Sequence, residues 1–137
     1  MPDRIVLDSS VIAAVFFPEA ITGPAIELVE QSDGITIDLA YAEVSNVAWK
    51  RVVQAKDDPA AIRSSLADCI AFIAETCELV PACDLVLPAY ELACRFRIPV
   101  YDALFAAAAV RCGVTLATAD KTLASSVKSV CRTVLVR

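Results

Sequence analysis

The sequence predicts an α/β fold in which helices cover both faces of a mainly parallel sheet. Two observations support this. Short β-branched or apolar runs alternate with longer segments of helical period along the chain, and such alternation requires crossover connections between strands. The length, 137 residues, suits one domain, and no repeat, linker or low-complexity segment interrupts it, so a single domain over residues 1–137 is expected.

Each element has a local reason. Arg4 to Asp8 (RIVLD) reads as a buried strand, and Ser9-Ser10 offer a cap to the apolar helix that follows and that Pro18 ends. Residues 22–31 (TGPAIELVEQ) predict a second helix with Ala25, Ile26, Leu28 and Val29 inward. Asp33-Gly34 is a turn signal before a strand at Ile35 to Ile37. Asp38 can cap the long helix expected from Leu39 to about Lys56, where Ala40, Val44, Val47 and Ala48 keep the helical period. Asp57-Asp58-Pro59 is a helix start, an acid cap followed by proline at the first position, and that helix should bury Ile62, Leu66, Cys69, Ile70 and Ile73. Glu78 to Val80 predicts a third strand, closed by Pro81. A helix then starts near Leu85 or Pro88 and runs to Phe96. Pro99 separates it from an alanine-rich helix, Tyr101 to Arg111, which Gly113 ends. A strand at Val114 to Ala117, a short helix at Asp120 to Val127 and a strand at Cys131 to Val136 complete the pattern.

Composition removes several chemistries. Hydrophobic residues reach 58%, yet the longest uncharged run, Ser9 to Pro18, is half of the ~20 residues a membrane span needs. The flank Met1-Pro2-Asp3-Arg4 lacks the net positive charge of an export signal, so a cytoplasmic protein is expected. With no histidine, neither a Ser-His-Asp triad nor a His-containing zinc site can be built. Three isolated glycines cannot form a Walker or dinucleotide-binding loop. Six cysteines show no zinc-ligand spacing. They read either as small buried hydrophobes or as a source of an intracellular disulfide, with Cys112 and Cys131 the pair most worth testing. The net charge of −5 is uneven, −8 over residues 1–83 and +3 over residues 84–137, so a locally basic C-terminal part could hold phosphates within an acidic whole.

In open parallel sheets, ligands bind beyond the carboxyl ends of the strands. Asp8 ends the first strand, Asp120 follows the strand VTLAT, Asp102 opens the helix YDALFAAAA, and Glu43 lies in the first turns of the helix after the second strand. Four carboxylates from separate segments therefore reach one edge with no basic residue obligatorily paired to them. Like charges ~4 Å apart at an effective dielectric of ~20 repel by about 4 kcal/mol. A divalent cation removes that cost, and Mg2+ or Mn2+ prefer such oxygen donors and activate water for attack on a phosphodiester. Taken singly, each acid also has a plainer role: Asp8 and Asp120 as helix caps, Asp102 as a first-turn acid, Glu43 as a solvent-facing side chain.

The strings VLDSSVIAAVF, AEVSNV and VYDALFAAAAVRCGVTLATADKTL, in that order, resemble the PIN domain, and within it the VapC-type ribonuclease toxins of toxin-antitoxin pairs. The resemblance covers nearly the whole chain. It implies a three-layer α/β/α sandwich and a metal-dependent endoribonuclease that leaves a 5′ phosphate, neutralised by a small antitoxin. It also implies that Asp8, Glu43, Asp102 and Asp120 bind Mg2+ or Mn2+, with Ser10 and Thr118 in support. Asp38 stands where many relatives have proline.

Lys50, two turns beyond Glu43 on the same helical face, is a solvated lysine or an RNA contact, and Arg95, Arg97 and Lys121 are further phosphate candidates. Trp49 and Tyr101 could stack on bases, with burial in the core or an interface favoured for Trp49. The hydrophobic excess predicts self-association, as a homodimer, and partner binding through Phe16, Phe17, Ile21, Trp49, Val52 and Val53. Two other readings fit parts of the same pattern. A non-catalytic binding module on the same fold is one. A receiver-like phosphoacceptor domain is the other; it fails on placement, since Asp8 precedes two serines and the end of the third strand offers no acid.

Overall fold

The computed structural model describes residues 1–137. In chain order the elements are β1 (Asp3–Leu7), α1 (Ser9–Phe16), α2 (Thr22–Glu30), β2 (Ser32–Ile37), α3 (Leu39–Val53), α4 (Pro59–Glu75), β3 (Glu78–Val80), a 3-10 turn at Ala82–Asp84, α5 (Val86–Phe96), α6 (Val100–Cys112), β4 (Thr115–Thr118), α7 (Lys121–Val127) and β5 (Thr133–Leu135). The five strands form one sheet in the order β3-β2-β1-β4-β5, and all four pairings are parallel.

The two-residue period of β1 builds the layers. Ile5 and Leu7 enter a core shared with α1 to α4, while Val6 enters the opposite core with α5, α6 and α7. Leu116 and Ala117 of β4 divide in the same way. The result is the expected α/β/α sandwich. α6 is apolar nearly all round, with every residue from Ala103 to Ala109 buried, as a helix enclosed between sheet and α5 must be. Its alanines let these neighbours approach closely.

Several local expectations hold. Asp58 caps α4 by accepting from the Ala61 N–H at 2.9 Å, with Pro59 at the first position. Gly113 ends α6 with φ +65°, a conformation costly for other residues.

Others are corrected. Asp33-Gly34 is no turn but part of β2, paired with Arg4 and Ile5. A Cβ on Gly34 would meet Leu7 Cδ1 at 2.8 Å, so glycine serves close packing there rather than chain reversal. Asp38 does not cap α3 through its side chain; its carboxylate accepts from the Ala82 N–H at 2.9 Å, tying the end of β2 to the turn after β3. α3 ends at Val53, not Lys56, which has a positive φ. Ile26 and Ile70 face solvent, and Phe17, expected on the surface, is buried because the chain turns inward after α1. Phe16 packs on Phe72 at 5.6 Å, leaving Trp49 and Val53 as the exposed members of the proposed apolar set. All six cysteines are free thiols, so the Cys112–Cys131 bridge is absent.

Candidate active site

The strand order reverses direction between β1 and β4, where a crevice opens at the carboxyl ends of such a sheet. Asp8 and Thr118 face each other across that point. The Asp8 N–H donates to the Ala117 carbonyl at 2.9 Å, and the Thr118 hydroxyl donates to Asp8 Oδ2 at 2.6 Å. Asp8 is 5% exposed, and its remaining donors are Ser10 Oγ, 3.1 Å from Oδ2, and Ser9 Oγ, 3.3 Å from Oδ1. Ser9 Oγ lies closer to Glu43 Oε1, at 2.7 Å, so its single proton favours Glu43. Sequence reasoning missed this link. The available signal was the Asp8-Ser9-Ser10 string, whose two hydroxyls here serve carboxylates rather than cap a helix.

Ser10 and Thr118 also fix the β4–α7 loop. Ser10 Oγ accepts from the Ala119 N–H at 3.1 Å, and Thr118 Oγ1 accepts from the Asp120 N–H at 3.0 Å. Asp120 does cap α7: its Oδ1 accepts from the Thr122 and Leu123 N–H groups at 2.9 and 3.2 Å. Asp102 lies in the first turn of α6, where the helix dipole favours a carboxylate.

The electrostatics tie the acids into one group. Burial pushes the Asp8 pKa above the carboxylate range, against the pull of the Thr118, Ser10 and Ser9 hydroxyls. Glu43 is raised by burial and then by the charges of Asp8 and Asp102, while Asp102 is raised by burial and then by Asp8 and Asp120. No lysine or arginine pairs with any of the four; the ion pairs of the chain are Arg4–Glu78 and Arg51–Asp57. The donors are all oxygens, the set preferred by a hard divalent cation. They do not form a ready-made cage, because no three acidic or thiol side chains are gathered closely enough to hold an ion.

A cleft of ≈ 390 Å3 beside the acids is lined by Ser9, Ser10, Glu43, Asn46, Lys50 and Tyr101 among others. Lys121 lines a second cleft, which shares Ser10 and also includes Asp120. Arg97 stands in the turn between α5 and α6, in left-handed conformation. Arg95 lies over the Phe96 ring at 4.8 Å and lines a separate depression on the α5–α6 face. The structure therefore brings Lys50 and Lys121 to the acidic clefts but leaves Arg95 on another surface.

The chain is a parallel five-stranded α/β/α sandwich with Asp8 at the switch point and the charges of Glu43 and Asp102 within reach of it, and the PIN domain model matches residues 5–127: the chain belongs to the PIN domain family. Ribonuclease VapC3 of Pyrobaculum aerophilum is 31% identical over 124 residues, covering 88% of this chain and 92% of that protein. Among solved structures, the fold is similar to Mycobacterium tuberculosis VapC20, a sarcin-ricin loop cleaving toxin. That match has TM-score 0.72 and 18% identity, over 89% of this chain and 94% of the other. It is also similar to Rickettsia felis VapBC2 bound to a promoter DNA fragment, with TM-score 0.64 and 15% identity over 96% and 98% of the two chains. No helix is long and apolar enough to cross a membrane.

Proposed function

We propose that this chain is a VapC-type endoribonuclease that hydrolyses RNA phosphodiesters with a divalent cation, Mg2+ or Mn2+, held by Asp8, Glu43, Asp102 and Asp120. The observation behind this reading is that the four carboxylates share one edge, three of them with raised pKa, and that no cation of the protein neutralises them. The 31% identity to a ribonuclease supports the same substrate class.

When bound, the cation supplies charge neutralisation and lowers the pKa of water. The side chains have separate tasks. Asp8, held at Oδ2 by the Thr118 and Ser10 hydroxyls, would be the fixed ligand. Ser9 orients Glu43 toward it. Asp120 is anchored through Oδ1, so its Oδ2 is available to a ligand. Ser10 and Thr118 hold the loop that carries Asp120. Glu43 and Asp102, less buried than Asp8, would be the groups open to take a proton from water.

In the same reading the chain acts in the cytoplasm as a toxin, is neutralised by a small antitoxin protein, and pairs with a second copy of itself. The exposed Trp49 and Val53 on α3 are apolar side chains that such a contact would cover. The test is cleavage of a single-stranded RNA with Mg2+, Mn2+ or EDTA, with the new ends examined for 5′ phosphate. Loss of cleavage in EDTA and in Asp102→Asn is expected. Undiminished cleavage in either would refute the metal assignment.

A further inference from the structure

Polar residues at the start of a helix ordinarily cap it by accepting a backbone N–H. α1 begins differently. Asp8 stands at its N-cap position with extended backbone, yet the Asp8 side chain makes no cap bond, and the Ser9 hydroxyl reaches carboxylates instead. Ser9 is buried, and its hydroxyl has a single hydrogen to share between two acids, Glu43 Oε1 at 2.7 Å and Asp8 Oδ1 at 3.3 Å. The shorter contact takes it. Asp8 Oδ2 is served by Thr118 and Ser10, so Oδ1 is the oxygen left without a hydroxyl proton. Glu43 is bonded through Oε1, which leaves its other oxygen open. The helices do not need this bond to stay together, because Ala40, Val44 and Ala48 of α3 already share a core with Val11 and Ile12 of α1. What it fixes is the end of a long side chain. Since the charge of Asp8 acts on Glu43, an untethered Glu43 would turn away from it toward solvent.

We propose that Ser9 is a positioning residue that sets the affinity of the site for a divalent cation. Its hydrogen holds Glu43 against the repulsion of Asp8 and, by going there, leaves Asp8 Oδ1 and Glu43 Oε2 as the oxygens open to the ion. The inference rests on the metal-dependent nuclease reading and adds to it the residue that organises the Asp8–Glu43 half of the acidic set. A cation placed between two carboxylates already held side by side binds without first having to bring them together, and loss of an outer partner of this kind costs ~10- to 100-fold in metal affinity.

The experiment is a Mn2+ titration followed by electron paramagnetic resonance of the free ion, without RNA. Wild type, Ser9→Ala, Ser9→Thr, Glu43→Asp and the double variant Ser9→Ala/Glu43→Asp are compared, after melting in EDTA has checked that each keeps its fold. Ser9→Ala is expected to weaken Mn2+ binding by ~10-fold or more, and Ser9→Thr, which keeps the hydroxyl, to stay within ~3-fold of wild type. Glu43→Asp keeps the charge but draws the carboxylate back from Ser9, so in that background Ser9→Ala should add less than ~2-fold. Mn2+ binding by Ser9→Ala equal to wild type overturns the inference, as does the same full loss in the Glu43→Asp background, where the serine would be acting through Asp8 or the fold. A wild type that binds no Mn2+ overturns it together with the metal assignment. Cleavage of a single-stranded RNA is followed in parallel. Mn2+ binding that depends on Ser9 in this way, without cleavage, supports the inference and refutes the nuclease reading; cleavage in Mn2+ with Ser9→Ala binding the ion like wild type does the reverse.

Discussion

Replacing Asp8 by Asn separates a metal ligand from a structural acid. Thr118 Oγ1 accepts from the Asp120 N–H, so its proton is committed to Asp8 Oδ2; the amide oxygen of Asn must take that place. The amide NH2 then faces Ser9 Oγ, whose proton already serves Glu43 and whose lone pairs can accept. The substitution therefore keeps the contacts with the three hydroxyls and removes the charge. Repulsion from Glu43 and Asp102 is of order a few kcal/mol at an effective dielectric of ~20, and their partial exposure discounts it to about 1 to 2 kcal/mol. At ~3 to 4 °C per kcal/mol for a chain of this size, Asp8→Asn should melt about 3 to 8 °C higher than wild type in EDTA.

Mn2+ reverses the order. At ~100 times its dissociation constant, the ion stabilises wild type by about 2.7 kcal/mol. A loss of ~100-fold in affinity cuts that to about 0.4 kcal/mol at the same concentration, and RNA cleavage should fall at least as far. The assay is thermal melting of both proteins with and without Mn2+. A lower melting temperature for the variant in EDTA, or equal Mn2+ shifts in the two proteins, would refute the reasoning.

Four other outcomes are expected. Because burial raises the pKa of Asp8, Glu43 and Asp102 in the folded chain, their contribution to stability is fully present below the unfolded carboxylate range, ~3.9 to 4.3, and is lost as pH rises through the raised values; melting in EDTA should show that loss, and Asp8→Asn should flatten it. Thr118→Val removes a buried donor to Asp8 and an acceptor for Asp120, costing about 1 to 3 kcal/mol in denaturant unfolding and reducing cleavage, whereas Thr118→Ser should be milder. Arg97→Gly relieves a left-handed arginine and should stabilise the fold by about 1 kcal/mol, read by the same unfolding titration. Thiol titration should find six free cysteines in denaturant, with exposed Cys83 and Cys94 fastest in the native state and Cys69, pushed up to about 12 by burial, slowest.

The sheet was legible because its strands are written in β-branched runs and its crossovers in helical period, and both signals are local. The helix stops at Pro18 and Gly113 and the start at Asp58-Pro59 were legible for the same reason. What escaped was tertiary. Asp33-Gly34 has turn chemistry, but Leu7 occupies the space where a side chain would be, so the pair extends β2. Phe17 is apolar and follows a helix end; only the path from α1 to α2 decides that it is buried. At the site, residue types at strand ends pointed to the four acids, while the Ser9 bridge between Asp8 and Glu43 depends on a contact 34 residues apart in sequence.

Asp120 shows why a plain reading and a functional one need not compete. As an isolated acid before a helix it is explained by capping, and it caps α7. Both cap bonds fall on Oδ1, however, so the same contact that explains the residue structurally fixes the direction of Oδ2. Asp8 follows a similar logic with hydroxyls in place of N–H groups. Hydroxyl dipoles lower the cost of burying a carboxylate without cancelling its charge, as an arginine would. The residual cost of burial raises the Asp8 pKa, so a positive charge from outside the chain would favour its ionised form. A site meant only for stability would gain by pairing these acids with the cations nearby. Here Lys50 and Lys121 line the clefts and form no ion pair with the acids, which is the arrangement the proposed function requires.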